Sequence, residues 1–561
     1  DLYNVRGTGW GFYFQDDYHV SPRLTLNLGL RYEIPSTLHS LDNSGSVLNF
    51  ATQGGGLIWA DKTFVNTWSS SAGAAAATYL QCCVSNKLVP GVKNNFQPRL
   101  GFAWRPISMN RWVVRGGWGM FSSVYMRFYD GTNYDDNALA TLSPNPNYPV
   151  ASGNESVSPL ALKTLWLAPV NVFSSFPPAW QFGIQTEWPG NRNPYTEQWT
   201  LDSQYALTPD LLLDLGYVGS HDMHEPFQYE FNDAHLASTP DIIPGAVTGA
   251  PVICNSLKDA SQATGEYANC PATGSAFQPI DTRVPFANFA AGSYANANIA
   301  SGNYNALQFR LDQRFHNGLT LLANYTWSRA LDEMSEIAAF SGSNNFIQNT
   351  ADLHANYGPA DFNQSQRLVL SYLYDLPVGK GRRWSLGPAN WVLGGWQTSG
   401  VLTFASGLPF SVYCCSRGGG RAVDLTGDPF GDRLRAQVNG APASGSPTVE
   451  QWFNTSAFAT PATGSYGNSG RNILTAPGTR QANLSFLKNF AITERQNLQY
   501  RLDVFNFLSS WHTGTRFPDN RLSDGPSFGS LIGAPTGVTY ALGAENLWTP
   551  RVIQMALTYS F

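Results

Sequence analysis

Charge is what this chain has least of. Asp, Glu, Lys and Arg together make 13% of its 561 residues, about half the share of a soluble domain, so a charged, water-facing surface of the usual kind is not being specified. Basic residues are scattered and the net charge is −5. That leaves no basic stripe to track a phosphate backbone, and nucleic acid is not an expected partner. Long apolar runs are missing too: nothing approaches the roughly 18 residues of a membrane helix, and the richest small-residue run, residues 72–77, is far shorter. Any membrane crossing is therefore left to strands. The chain opens at Asp1 without Met, basic n-region or apolar h-region, so an export signal is expected upstream of it.

Cysteine is sparse, at six residues placed as Cys82-Cys83, Cys254, Cys270 and Cys414-Cys415. The Cys-x-x-Cys sets with His partners that hold zinc are absent. An even number of cysteines in long loops reads as disulfides made in an oxidising compartment, with Cys254 and Cys270 the natural pair and free thiols the alternative. The pairing of the two vicinal sets stays open.

Aromatic residues, by contrast, are abundant: 17 Trp, 25 Tyr and 33 Phe. They fall into a grammar. Leu24, Leu26, Leu28, Leu30 and Tyr32 alternate with Thr25, Asn27, Gly29, Arg31 and Glu33, a period of two that predicts a strand with one greasy and one polar face. Before it, Phe12, Phe14, Tyr18 and Val20 alternate with Tyr13, Gln15, Asp17 and His19, and Ser21-Pro22-Arg23 supplies a tight turn. YHVSPRLTLNLGLRY is then echoed by YALTPDLLLDLGY at 205–217, turning at Thr208-Pro209-Asp210. The same hairpin recurs around His316-Asn317-Gly318 and around Thr493-Glu494-Arg495. Looser pairs join 100–105 to 112–122, and 367–376 to 396–405 across the basic connector Gly379-Lys380-Gly381-Arg382-Arg383. A last strand covers 551–561.

Between hairpins lie long polar segments, at about 34–96, 124–196, 219–305, 330–366, 407–480 and 509–550. Residues 182–188 are read as part of the second of these. Structureless loops of such length argue against a soluble sandwich or propeller. Short turns alternating with long loops are the form of an outer-membrane barrel, whose sheet must close because lipid offers no hydrogen bonds. Arg31, Glu33, Asp202, Asp214, Arg310, Asp312, Arg314, Arg501 and Asp503 would face a watery lumen. Tyr18, Tyr32, Trp327, Tyr372 and Tyr559 would form interfacial girdles. A soluble sheet with one solvated face is the plainer alternative.

Several blocks, in fixed order from Gly11 to the end, carry a resemblance. Among them are GFYFQDDYHVSPRLTLNLGLRYE, NFQPRLGFAW, VVRGGWGMF, NPYTEQWTLDSQYAL, YNALQFRLDQRFHNGLTLLANYTWSRALDE, GGWQTSGVLTFASGLPF and RNILTAPGTRQANLSFLKNFAITERQNLQYRLDVFN. Together they resemble TonB-dependent receptors of Gram-negative outer membranes, and among these the Oar-like barrels. The resemblance implies an all-β, transmembrane antiparallel β-barrel of about 22 strands with long extracellular loops. It also implies a plug, a box that contacts the TonB complex, and energised passage of an extracellular ligand or an export-linked role. Residues 1–561 are expected to be the C-terminal part of such a barrel, with the plug, the TonB box and an N-terminal carboxypeptidase-like domain outside them. Parity points the same way: six hairpins and one final strand make about 13 strands, whereas closed single-chain bacterial barrels have even numbers. About nine strands before Asp1 would complete the family's count.

Candidate sites are few. His221-Asp222-Met223-His224-Glu225 offers metal ligands, but it continues a strand and reads as a strand-to-loop exit. Asp424, Asp428 and Asp432, and the group Asp130, Asp135 and Asp136, carry oxygen ligands for calcium without the twelve-residue loop and closing Glu of a known motif, so solvated loop carboxylates are the competing reading. Gly418-Gly419-Gly420 lacks the Lys and Ser or Thr of a phosphate loop. No nucleophile, base and acid stand together, so neither catalysis nor a cofactor or metal is expected. Leu557, Tyr559 and Phe561 alternate to an aromatic C-terminus that resembles the signal read by the barrel-assembly machinery. The expected partners are outer-membrane lipid, that machinery, the TonB complex through the absent N-terminal part, and an extracellular ligand that cannot be named. A barrel that merely anchors adhesive or structural loops is the alternative function, and a secreted soluble enzyme a third.

Overall fold

The computed structural model describes residues 5–6, 8–34, 39–40, 46–49, 56–59, 80–82, 93–107, 111–122, 185–188, 191–235, 241–246, 249, 251–254, 264–270, 283–286, 294–316, 318–335, 347–414, 434–462, 465–493, 496–508, 516–533 and 551–561. Thirteen strands form one antiparallel meander: β1 Trp10–Ser21, β2 Leu24–Ile34, β3 Asn95–Trp104, β4 Trp112–Ser122, β5 Tyr195–Thr208, β6 Leu211–Tyr229, β7 Tyr294–His316, β8 Leu319–Asp332, β9 Gln366–Asp375, β10 Trp396–Ala405, β11 Thr479–Ala491, β12 Asn497–Phe505 and β13 Val552–Ser560. Each is hydrogen-bonded to the next, so the six expected hairpins and the final strand are all present. Within the sheet β1 and β13 have one neighbour each.

Register turns alternation into two continuous faces. Tyr18 stands opposite Leu26, Leu26 opposite Phe102, and Phe102 opposite Gly116. The row continues through Leu201, Tyr217 and Leu307 to Trp327. At the far end Tyr372, Gly400, Leu484, Val504 and Ile553 make a matching row. Leu28, Leu100 and Leu557 are 40%, 51% and 67% exposed, an arrangement that water would penalise and hydrocarbon stabilises. Tyr18, Tyr32, Trp327, Tyr372 and Tyr559 all lie on this apolar face, by their pairing with Leu26, Phe96, Leu307, Leu321 and Leu498. Asp16 is the one break in it at β1, directly opposite Leu28.

The polar face carries same-strand ion pairs two residues apart. Arg31 pairs with Glu33, which also accepts from Gln97 Nε2 at 2.6 Å. Arg310 reaches Asp312 at 3.1 Å and Arg501 reaches Asp503 at 2.9 Å. Asp214 stands opposite Arg310 and accepts from Gln204 Nε2 at 3.0 Å. These side chains satisfy one another across a surface that needs water on its far side.

The expected loops are partly strand. β6 and β7 run 19 and 23 residues, well past the roughly 9–11 needed to cross a bilayer, so the segment read as loop from 219 begins only after Tyr229. His221 to Glu225 is not a strand exit: the strand carries on through it, with a bulge at His224, which sits at φ 59°. Residues 182–188, read as loop, contain the strand Gln185–Glu187, which runs parallel to β7 at 294–296. The reason is an unfilled edge. β8 pairs with β7 only as far as Gly302, and Gln185–Glu187 takes up the backbone groups that β7 leaves beyond it. Residues 34–96 likewise hold a three-stranded sheet, Ser46–Asn49, Gly56–Trp59 and Leu80–Cys82.

Candidate functional site: a folded cap on the long-loop rim

Among the described residues the largest buried core is not in the sheet but among the long loops. Phe410, Val412, Ala436, Phe453, Ala457, Phe458, Leu474 and Ala476 form it, with Trp452 and Phe528 packed against it. Phe453 is its hub, with ring centroids 5.8, 5.5 and 5.2 Å from Phe410, Phe458 and Phe528. These apolar residues come from segments read as polar loop, and their burial gives the loops a fixed shape.

Beside this core, buried polar groups tie the cap to the end of β8. The Arg471 side chain is 1% exposed and meets Asp332 Oδ1 at 2.6 Å and Asp361 Oδ1 at 3.5 Å. It also donates to Ser335 Oγ at 2.6 Å. Gly358 makes room for it: a Cβ there would stand 2.8 Å from the Arg471 carbonyl oxygen. Asn472 donates to Asp361 Oδ1 at 2.6 Å and to the Pro359 carbonyl at 2.7 Å. Arg435 donates from Nη1 to Asn356 Oδ1 and from Nη2 to the Ala355 carbonyl, each at 3.3 Å. Its backbone N–H donates to Gln348 Oε1 at 2.7 Å.

Tyr413 is 1% exposed, and the Arg521 guanidinium lies 5.0 Å above its ring. Burial, with Asp361 nearby, pushes the Tyr413 hydroxyl above its ordinary pKa, so it stays a neutral donor. Burial also draws Arg435 below the ordinary arginine value, with Arg471 adding to the effect while Tyr413 opposes it. A second compact region lies beyond β6. Cys254 and Cys270 are disulfide-bonded there, Cα atoms 5.3 Å apart, and pack with Val252, Ile243 and Tyr267. Cys414 is also disulfide-bonded.

The metal-ligand candidates do not converge. His221 is on the apolar face, paired with Glu197 and Asn303. Asp222 is on the opposite face and accepts from Thr196 Oγ1 at 2.7 Å. Among the described residues no group of three His, Cys, Asp or Glu could hold a metal ion. Asp424, Asp428, Asp432, Asp130, Asp135, Asp136 and Gly418 to Gly420 lie outside the described residues. Leu557 and Tyr559 stand opposite Tyr500 and Leu498 on the apolar face, and Phe561 is 92% exposed with its ring 5.7 Å from that of Tyr559.

The residues that organise the cap, Arg471, Arg435, Tyr413 and Arg521, were not legible as a site in the sequence. The only local signals were the short apolar groups Phe410 with Val412 and Phe453 with Phe458.

A sheet with one lipid-compatible and one hydrated face, edged on one side by short turns and on the other by folded loops, is the architecture of an outer-membrane barrel. The family model for the outer membrane beta barrel domain matches residues 1–554. The chain belongs to that family, and its place is the outer membrane of a Gram-negative cell. No curated relative matches it. Similar solved structures include a pyoverdine outer membrane receptor, FpvA, from Pseudomonas aeruginosa, at 10% identity over 99% of this chain and 42% of that one, with a TM-score of 0.37. The siderophore receptor PirA from Acinetobacter baumannii is similar at 9% identity over 99% of this chain and 46% of its own, with a TM-score of 0.36. The outer membrane transporter YddB from Escherichia coli matches at 9% identity over 90% of this chain and 41% of its own, also with a TM-score of 0.36. The chain thus spans less than half the length of these structures.

Proposed function

We propose that this chain is the barrel portion of a TonB-dependent, Oar-like outer-membrane receptor, non-catalytic itself, whose loop cap receives an extracellular ligand and whose polar face lines the passage for it. One observation carries the reading: an apolar and a polar face run across the thirteen strands, with Asp16 and Lys488 among the exceptions on the apolar side, while the loops at one rim fold into a cap with its own buried core. Long loops of such barrels are extracellular and short turns periplasmic, which puts the cap outside the cell. The order of the sequence blocks supports the receptor assignment. On this reading the plug and the TonB box belong to a part of the protein outside residues 1–561.

The test is genetic. Growth on the nutrient whose use is lost when the gene is deleted is measured in a strain lacking TonB. The expected result is that TonB loss reproduces the defect of gene loss. A deletion phenotype that persists unchanged with and without TonB would instead fit a barrel that only anchors an adhesive or structural cap, a reading that the cap's own buried core also favours.

A further inference from the structure

The connector between β9 and β10 differs from the other hairpin turns. It spans residues 376–395 and is folded: Gly379 donates to the Trp384 carbonyl at 2.8 Å, Trp384 to the Pro377 carbonyl at 3.0 Å, and Gly395 to the Val378 carbonyl at 2.9 Å. A helical turn, Asn390–Leu393, is fixed by Asn390, whose Oδ1 accepts from the Leu386 N–H at 2.8 Å and whose Nδ2 donates to Ser385 Oγ at 2.9 Å. Gly379 and Gly394 are pressed together, since a Cβ at Gly394 would stand 2.6 Å from Gly379 Cα.

This element is attached to the apolar face of the sheet. Trp391 packs on Phe490 of β11 with centroids 5.3 Å apart. Trp396 Nε1 donates to the Val392 carbonyl at 2.9 Å, and Lys488 Nζ donates to the Gly394 carbonyl. Trp396 and Lys488 are register partners on that face, in the row below Thr398 and Phe486. Yet Trp384, Trp391, Val392 and Leu393 remain 54%, 67%, 51% and 54% exposed. Lys380, Arg382 and Arg383 are exposed beside them, and residues 376–396 contain no acid. Among the described residues Asp375 is the carboxylate that pairs with them, taking Arg382 at 3.2 Å.

We propose that this connector binds the headgroups of anionic phospholipids in the inner leaflet of the outer membrane. Its apolar side chains continue the lipid-facing band, so their occupant is lipid rather than a soluble partner. Trp at the level of the headgroups, with cationic side chains next to it, is the arrangement that an interfacial element adopts. The folded backbone holds Lys380 and Arg383 in place before lipid arrives, so little ordering entropy opposes binding. Short turns are periplasmic, which selects phospholipid phosphates over those of lipopolysaccharide.

The full chain, refolded into phosphatidylethanolamine-rich vesicles, is probed with spin-labelled phosphatidylglycerol and phosphatidylcholine, reading the relative preference of the motionally restricted boundary lipid. A preference for phosphatidylglycerol is expected, falling by about fivefold per removed charge in Lys380→Glu/Arg383→Glu, with Arg23→Glu on the β1–β2 turn close to unchanged. Heat-modifiable migration on a gel reports that each variant is folded. Raising the salt concentration on the unaltered protein is expected to erode the same preference, so the inference stays testable even where a variant misfolds. Equal boundary preference for the two lipids, an equal loss in Arg23→Glu, or tighter association of lipopolysaccharide than of phosphatidylglycerol with the connector would overturn it.

Discussion

Trp199 of β5 lies across Gly219 of β6, its register partner, so closely that a Cβ added to the glycine would stand 2.4 Å from the indole. Phe102 covers Gly116 at 2.3 Å and Tyr372 covers Gly400 at 2.8 Å in the same way, all on the apolar face. These glycines provide room rather than an unusual backbone angle, and each ring screens peptide groups that a bare glycine would show to lipid. Gly219→Ala must therefore displace Trp199. It is expected to lose about 1–3 kcal/mol, the usual cost of overpacking, in urea unfolding from lipid vesicles. Gly29→Ala, where the nearest atom is 3.6 Å away on the polar face, is expected to lose far less.

Leu28 lies at the middle of β2, between Asp16 and Leu100. Leu28→Arg is expected to cost roughly 2–4 kcal/mol because it puts a cation at mid-bilayer depth. Asn27, which lies on the hydrated face and donates from Nδ2 to Asp17 Oδ1 at 2.6 Å, is expected to tolerate arginine much better. Equal costs for the two substitutions on refolding into vesicles would reverse the assignment of faces.

How far the sequence carried this fold follows from what each strand touches. Alternation was legible wherever one face meets hydrocarbon and the other water, which is why β1 and β2 were placed almost to the residue. It disappears at the outer end of β7, where Ala295, Asn296, Ala297 and Asn298 are all buried in protein. There both faces are lined by small or amide side chains, and the pattern reads as loop. The cap was hidden for a different reason. Arg471 donates to the Asp332 carbonyl across 139 residues, and no local period marks a contact of that range. Cys254 and Cys270 were easier to pair, being 16 residues apart in one loop.

That long-range contact suggests a separable stability. Arg471→Met leaves the carboxylate of Asp332 beside the cap without its cation, a loss of about 3–5 kcal/mol for a buried pair. Because Arg471 lies in the cap and Asp332 is only the last residue of β8, the expected outcome is faster proteolysis of the cap with barrel migration on a gel unaltered. Asp332→Asn combined with Arg471→Met is expected to recover part of the loss, since no unpaired charge remains. A cap as protease-resistant in the single variant as in the parent would show that the aromatic cluster around Phe453 holds it alone.

At the C-terminus the ring of Phe561 projects freely beyond Tyr559, so its removal disturbs no packing in the described residues beyond that one stacking contact. Deleting Phe561 is expected to lower the amount of assembled protein in the outer membrane several-fold while leaving its unfolding in vitro close to unchanged. That split is the mark of a recognition signal rather than of a structural last strand. Undiminished heat-modifiable protein in the membrane fraction would refute the signal.

The two edges of the sheet lead to the last prediction. Every residue of β1 and β13 is exposed, and each strand has a single partner in the sheet, so each presents a row of peptide groups that hydrocarbon cannot satisfy. Proteins protect such edges with charge, and Asp16 on the apolar side of β1 is the only device of that kind there. Asp17, on the hydrated face, is the other acid in this strand of 12 residues, and two charges are little defence. Expressed as residues 1–561, the chain is therefore expected to pair edge to edge with other copies, giving mixed oligomers by light scattering in detergent and irregular conductance in planar bilayers. Asp16→Leu is expected to broaden the distribution further by removing the repulsive group on the apolar side. A monodisperse monomer with a uniform single-channel conductance would mean that β1 and β13 meet in the membrane, and that these thirteen strands form a self-contained pore.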